Sequence, residues 1–244
     1  MRALWAATRF LTRLPVPRAR DLEARDLEAS AVWFPGVGAL IGLVVAVVHR
    51  GLTGVDAWVG AFAAVLAWIW ITGGLHVDGA ADLADALGAR HRHPERFVEV
   101  LRDPRLGTFG VLAVLGVVLA KIVALQALAT HPSASAILIL LPAWTRLGAV
   151  IWSCTLPPLA SGCGERFGRT TGRALLWSWG IVLTGVSFAW APAALIAPGA
   201  LTAWWLFLKV RVGGMNGDTL GAGIEWCEAG TLLVICIATR WLDI

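Results

Sequence analysis

Long apolar stretches alternate with polar segments along most of the chain. Seven of them approach the length that an α-helix needs to cross a lipid bilayer, about 20 residues with a range of roughly 17–25. The pattern predicts an all-α fold, a polytopic integral membrane helix bundle of about seven transmembrane helices, with six to eight compatible. The seven stretches cover residues 32–49, 57–75, 107–129, 134–153, 174–191, 193–209 and 229–242.

Basic residues are distributed unevenly over the segments between these stretches. Counted from the N-terminus, the segments contain 6, 1, 5, 0, 3, 0 and 2 Lys or Arg residues, where the last two are Arg211 and Lys209 at the adjoining end of the sixth stretch. Because short cytoplasmic loops are enriched in Lys and Arg, the alternation predicts a cytoplasmic N-terminus and puts every long loop in the cytoplasm. We therefore expect one membrane domain over residues 1–244, with a basic cytoplasmic arm at 1–31. We expect it in the cell (inner) membrane, with an active site that faces the cytoplasm.

The composition supports a lipid environment. Hydrophobic residues make up 58% of the chain and charged residues 15%, against roughly 45–50% and about 25% in soluble domains. The 14 Trp residues suit a chain with many membrane–water interfaces. The net charge of +4 follows from the topology, so we expect the lipid bilayer and no nucleic acid as a partner. The sequence leaves open whether the chain forms a homo-oligomer.

A stripe of three aspartates follows the second apolar stretch. Asp78, Asp82 and Asp85 are spaced by four and three residues, so on a helix they share one face. Three ionised carboxylates repel one another and are costly near a bilayer. A divalent cation resolves both problems, and Mg²⁺ prefers carboxylate oxygens combined with substrate phosphates. The stripe therefore predicts a Mg²⁺ site; the alternative is a solvated acidic helix face.

A glycine-rich acidic segment, residues 213–228, precedes the last apolar stretch. Its glycines permit close approach of the backbone to phosphate groups, so Gly217 and Asn216 are candidate substrate-binding residues. Asp218 and Glu225 lie seven residues apart, on one face if the segment is helical, and are candidate metal ligands. The alternative is a flexible turn before the last helix. Because the segment 213–228 lies on the same side of the membrane as the aspartate stripe, we favour a role in binding substrate or metal.

Several cations and one histidine complete the candidate chemistry. Arg102 and Arg105 could bind phosphate, because guanidinium groups match phosphoryl oxygens, or could form ordinary surface ion pairs. Lys121 and Arg146 lie inside apolar stretches, where a charge indicates a function or a buried partner. That partner could be the aspartate stripe or a substrate phosphate. His76, two residues before the stripe, could act as a base or have a structural role.

In this order, these residues resemble the adenosylcobinamide-GDP ribazoletransferase family, also called cobalamin-5′-phosphate synthase. The resemblance covers nearly the whole chain, and its specificity lies in the ordered set. Two positions depart from the family pattern: Ala86 replaces a Gly that directly follows the third Asp, and Asn216 replaces a Thr. The matching segments are 10–17 (FLTRLPVP), 34–38 (FPGVG), 73–76 (GGLH) with the aspartate stripe, 102–107 (RDPRLG), 119–122 (LAKI) and 217–222 (GDTLGA) with Glu225.

The resemblance implies the last step of nucleotide-loop assembly in cobalamin (vitamin B12) biosynthesis. In that step adenosylcobinamide-GDP and α-ribazole, or its 5′-phosphate, are joined and GMP leaves. It implies Mg²⁺ as cofactor, held by Asp78, Asp82, Asp85, Asp218 and Glu225. Arg102, Arg105, Lys121 and Arg146 would steady phosphates, and Asp85, Asp218 or His76 would accept the hydroxyl proton.

Two other functions compete with this interpretation. CDP-alcohol phosphotransferases also carry an aspartate stripe at a membrane helix, but their stripe continues with further aspartates, and here none follows Asp85 until Asp103. A cation-coupled transporter would explain charges inside apolar stretches. Transporters commonly contain repeated halves, and the sequence has no internal repeat.

Overall fold

A computed structural model describes residues 1–17, 22–92, 96–101, 103–159, 167 and 172–242, and these are almost entirely helical. Arg102, a predicted phosphate-binding residue, lies outside them. Short 3-10 segments at Ala29–Trp33 and Pro192–Ile196 and a π-helical turn at Leu208–Val212 extend the α-helices. The α-helices are α1 Arg2–Leu11, α2 Ala24–Glu28, α3 Phe34–Thr53, α4 Ala57–Thr72, α5 Leu75–Arg92, α6 Phe97–Val100, α7 Thr108–Ala127, α8 Ala134–Thr155, α9 Arg173–Trp190, α10 Ala197–Phe207 and α11 Gly217–Leu242.

The predicted all-α polytopic membrane bundle is confirmed. Each of the seven apolar stretches falls on a helix, and five helices in the described part of the chain are long and apolar enough to cross a membrane. A sixth span arises if α4 and α5 count as one bent span, and the apolar helix at Ala174–Trp190 is shorter than the rest. Seven spans therefore remain a prediction. The five are Arg25–Thr53, Thr108–Ala127, Ala134–Thr155, Pro192–Val212 and Gly217–Thr239.

Close packing of α3 on α8 forms the centre of the bundle. A Cβ on Gly38 would lie 2.3 Å from the carbonyl oxygen of Pro142, and one on Gly42 would lie 2.2 Å from that of Leu138. Only glycine fits at either position, so the two backbones touch. Small residues four apart are a common way for membrane helices to approach, because lipid supplies no hydrophobic force to drive them together.

A pair of glycines separates α4 from α5. Asp56 begins α4 by accepting hydrogen bonds from the backbone N–H groups of Trp58 and Val59 at 2.8 and 3.1 Å. The helix ends at Gly73 and Gly74, which adopt φ of 68° and 75°, a left-handed conformation that costs glycine little. The chain turns by 89° at this corner. The aspartate stripe on α5 therefore does not continue along the axis of α4.

Candidate active site

The two acidic segments of the sequence meet where α5 packs against α11. A Cβ on Gly79 would lie 2.7 Å from the backbone oxygen of Asp218, and one on Gly221 would lie 3.3 Å from the Cα of His76. Asp82 is close enough to Asp78 and Asp218 to interact electrostatically with both. The close glycine contacts thus bring carboxylates about 140 residues apart in sequence into one cluster. We call Asp78, Asp82 and Asp218 the acidic cluster.

The acidic cluster suits Mg²⁺ through the chemistry of its donors. Asp78 is exposed, Asp82 and Asp218 are half-buried, and no ion pair to the three carboxylates occurs among the described residues. Among the described residues, no group of three or more His, Cys, Asp or Glu is arranged so that it could hold a metal ion by itself. Mg²⁺ commonly takes only one or two carboxylates and completes its shell with water and substrate phosphates. The cluster fits that incomplete kind of site.

Asn216 and Gly217 form the start of α11 and orient Asp218. The Asn216 side-chain oxygen accepts a hydrogen bond from the Thr219 backbone N–H at 3.0 Å, which caps the helix. The Thr219 hydroxyl accepts in return from the Asn216 backbone N–H at 2.8 Å. The Asn216 side-chain amide donates to Asp218 Oδ2 at 2.8 Å. Asn216 therefore fixes both the helix start and the Asp218 carboxylate, and Gly217 between them is exposed.

Asp85 has partners that the sequence does not reveal. Its Oδ2 accepts a hydrogen bond from the Gly107 backbone N–H at 2.7 Å, and its Oδ1 accepts one from Gly110 at 2.9 Å. Gly107 is the N-cap residue of α7 and Gly110 lies in its first turn, where backbone N–H groups lack partners within the helix. Asp85 thus caps α7 from a neighbouring helix, and both its oxygens are engaged. Its predicted catalytic and metal-binding roles would have to coexist with this capping role.

Lys121 is buried between two glutamates of α11. Its Nζ donates to Glu225 Oε2 at 2.7 Å and to Glu228 Oε2 at 2.6 Å, and it lies 4.1 Å from the centre of the Trp68 ring. The three charged side chains are almost completely inaccessible. Ion pairing and the aromatic face together replace the water that the ammonium group loses on burial.

Arg146 extends this buried network to His76. Its Nη1 pairs with Glu228 Oε1 and donates to the Thr145 hydroxyl at 3.1 Å. Its Nη2 lies 3.2 Å from His76 Nδ1. Since a guanidinium group can only donate, His76 Nδ1 must accept, and a neutral ring then carries its proton on Nε2. In this arrangement His76 is a hydrogen-bond donor toward a ligand.

The network of Lys121, Arg146, Glu225 and Glu228 contains two cations and two carboxylates and carries no net charge. The sequence predicts that Lys121 and Arg146 bind phosphate and that Glu225 binds metal. In the structure all three have partners within this network. Glu228, which contacts both cations, was missed as a site residue. The signal was available, because two cations inside apolar stretches require two counter-charges.

Arg105 lies on an exposed segment and pairs with Asp103. Its Nη2 donates to Asp103 Oδ2 at 2.7 Å, and its backbone N–H donates to Oδ1 at 3.0 Å. The hydrogen bonds from the Arg105 side chain, followed by the backbone one, lower the pKa of Asp103 to about 2. The pair is ionised at neutral pH. The Arg105 side chain is 85% exposed, so it remains accessible to a phosphate.

A cavity of about 320 Å³ opens beside the acidic cluster. Its polar wall contains His76, Asp78 and Asp218, and most of its remaining lining is apolar. It therefore offers carboxylates and a hydrogen-bond donor at one end and a hydrophobic compartment at the other. Ligand sites commonly combine an apolar cavity with a few placed polar groups. The remaining lining residues are Phe10, Leu11, Phe34, Leu75, Ala149, Val150, Phe167, Gly217, Leu220, Gly221 and Ile224.

Comparison with known proteins agrees with the resemblance noted in the sequence. No solved structure matches the chain. Three curated relatives, all named adenosylcobinamide-GDP ribazoletransferase, match almost end to end. The protein of Thiobacillus denitrificans is 48% identical over 96% of this chain and 94% of its own length. The Laribacter hongkongensis protein is 46% identical, covering 98% of both chains, and that of Novosphingobium aromaticivorans is 40% identical, covering 99% of both. The family model described as cobalamin-5-phosphate synthase matches residues 3–236, so the chain belongs to that family.

Proposed function

We propose that this chain joins adenosylcobinamide-GDP to α-ribazole, or to its 5′-phosphate, and releases GMP. The relatives' names state this substrate and this transfer. The observation in the molecule that carries the proposal is the direct packing of α5 on α11, which brings Asp78 and Asp218 together in the lining of the cavity. Transfer at a pyrophosphate needs groups that neutralise its charge next to a place for the acceptor.

The proposed reaction exchanges one phosphorus–oxygen bond for another. A hydroxyl oxygen of the acceptor forms a bond to the cobinamide-linked phosphorus, and the bond from that phosphorus to the bridging oxygen breaks, so GMP leaves with the bridging oxygen. The hydroxyl proton passes to a carboxylate. Asp218 suits this role best, since Asp85 is engaged in capping α7 and His76 is held as a donor by Arg146.

Asp78 and Asp82, with Asp218 beside them, are the residues that would hold Mg²⁺. When bound, the ion would supply positive charge that offsets the negative charge developing on the phosphate oxygens. Arg105 is the candidate that would steady a substrate phosphate, because its guanidinium group is exposed. In the buried Lys121–Arg146 network, Arg146 orients His76. The charges of this network balance one another, so the acidic cluster supplies the net negative charge of the site.

Purified protein in detergent should release GMP from adenosylcobinamide-GDP when α-ribazole and Mg²⁺ are supplied. We expect one GMP per cobalamin product, because both arise from the same displacement. EDTA should abolish release and added Mg²⁺ should restore it. Chromatographic quantification of both products tests the stoichiometry. GMP release at the same rate without α-ribazole would indicate a hydrolase, and no release under any condition would contradict the proposed function.

We also propose that the site faces the cytoplasm, as the alternation of basic segments indicates. In a variant without the native cysteines, Ala89→Cys on α5 should be protected from an impermeant thiol reagent added outside intact cells. Ser133→Cys, between α7 and α8, should be labelled. Permeabilised cells supply the control, since both probes should then react. Labelling of Ala89→Cys in intact cells would show that the topology is the opposite of the one proposed.

A further inference from the structure

Three phenylalanines from distant parts of the chain line the apolar end of the cavity. Phe10 lies in the last turn of α1, Phe34 begins α3, and Phe167 lies between α8 and α9. Phe10 and Phe34 stack with ring centres 5.9 Å apart and an angle of 15° between their planes. Phe167 meets both edge-on, at 5.3 and 4.9 Å. These distances and angles are those that aromatic side chains prefer.

The N-terminal arm is fastened to the rest of the site, so Phe10 is a fixed part of this wall. The Arg13 backbone N–H donates to the Ile71 carbonyl oxygen at 2.8 Å. The Arg13 side chain also contacts Gly73, whose hypothetical Cβ would lie 2.6 Å from Arg13 Nε. Leu11, adjacent to Phe10, is fully buried. The end of α1 is thereby held at the glycine corner from which α5 and its aspartates start.

The cavity joins this aromatic end to a polar end formed by His76, Asp78 and Asp218. A ligand that fills both must be apolar and ring-shaped on one side and must present hydroxyl groups on the other. Guanine would leave several hydrogen-bonding groups without partners against phenylalanine and aliphatic walls, and burying such groups unpaired is costly. A corrin macrocycle is far too large for about 320 Å³.

We infer that this cavity is the subsite for the acceptor nucleoside, with its fused aromatic base against the wall formed by Phe10, Phe34 and Phe167 and its ribose hydroxyls at the acidic cluster. The inference rests on the proposed function and assigns one of its two substrates to a place. The base of α-ribazole is a benzimidazole, whose benzenoid ring has no hydrogen-bonding group and suits an aromatic wall. The nucleotide of the other substrate would approach the acidic cluster from outside this cavity.

Phe10→Ala should raise the KM for α-ribazole about tenfold, as loss of one well-packed aromatic contact implies. The KM for adenosylcobinamide-GDP should change less than about twofold, because the lost ring contacts only the other substrate. That contact is the same in the ground state and in the transition state, so its loss appears in KM. Phe10 is the least buried ring of the three, so its removal should disturb the fold least. Phe188→Ala is the matched control: Phe188 lies on α9 and is 74% exposed.

Equilibrium dialysis of α-ribazole against the detergent-solubilised protein gives a readout independent of turnover. Wild-type protein should bind, Phe188→Ala should bind equally, and Phe10→Ala should bind about tenfold more weakly. If Phe10→Ala does not fold, Phe167→Leu, which keeps the volume but removes the ring, replaces it. Unchanged affinity in both variants, or equal rises in the KM of both substrates, would overturn the inference. If wild-type protein binds α-ribazole but releases no GMP, the proposed function fails and the inferred subsite stands.

Discussion

Asp78→Ala and Asp218→Ala should each lower the rate of GMP release by on the order of 10³ or more, and the double variant should be little slower than the worse single one. Residues that act as one catalytic unit lose activity non-additively. The two aspartates are 140 residues apart in sequence but lie on helices whose backbones touch at Gly79. Initial rates with saturating substrates and Mg²⁺ measure the effect. Glu99→Ala, an exposed carboxylate paired with Arg96, is the control.

A glycine substitution tests the same unit without removing a carboxylate. A methyl group at Gly79 would lie 2.7 Å from the Asp218 backbone oxygen and must push α5 from α11. Gly79→Ala should therefore reduce the rate strongly while every aspartate remains. Gly180→Ala is the matched control for Gly79→Ala, because nothing lies within 4 Å of its new Cβ. The rate of this variant should equal that of the wild type. Losses that multiply in the double aspartate variant, together with a fully active Gly79→Ala, would mean two independent sites.

Lys121→Met should lower the free energy of unfolding by on the order of 3–5 kcal/mol, because it leaves a buried carboxylate without its cation. Lys121→Met combined with Glu225→Gln should recover most of that loss. The remaining Arg146–Glu228 pair is again neutral, and Met fills a volume similar to that of the lysine stem. For a chain of this length the single variant should unfold roughly 10 °C earlier.

The midpoint of thermal unfolding in detergent, followed by tryptophan fluorescence or circular dichroism, measures this difference. Lys209→Met is the control. Lys209 lies over the Trp205 ring at 4.7 Å, but it belongs to no ion pair in the described part of the chain, so its loss should shift the midpoint little. A double variant no more stable than Lys121→Met would mean that packing, not charge balance, determines the stability of this region.

The sequence alone determined the class of fold, the aspartate stripe and the family. Apolar length is a local property, because each membrane helix must satisfy its own backbone hydrogen bonds, so all seven stretches coincide with helices. The spacing of Asp78, Asp82 and Asp85 is likewise local and predicts one helix face. Gly73 and Gly74 belong to the family pattern, but the sequence does not predict the corner that they form. The 89° turn depends on left-handed backbone conformations that glycine permits but does not require.

Only the tertiary structure decided which charges are available to a ligand. Lys121, Arg146 and Glu225 have the residue types of a phosphate and metal site, yet they satisfy one another and Glu228 inside the bundle. Asp85 belongs to the predicted stripe but caps α7 through Gly107 and Gly110. Whether a buried charge serves a substrate or a neighbour depends on which helices pack together. That packing joins Lys121 to Glu228, 107 positions away, and no local pattern records it.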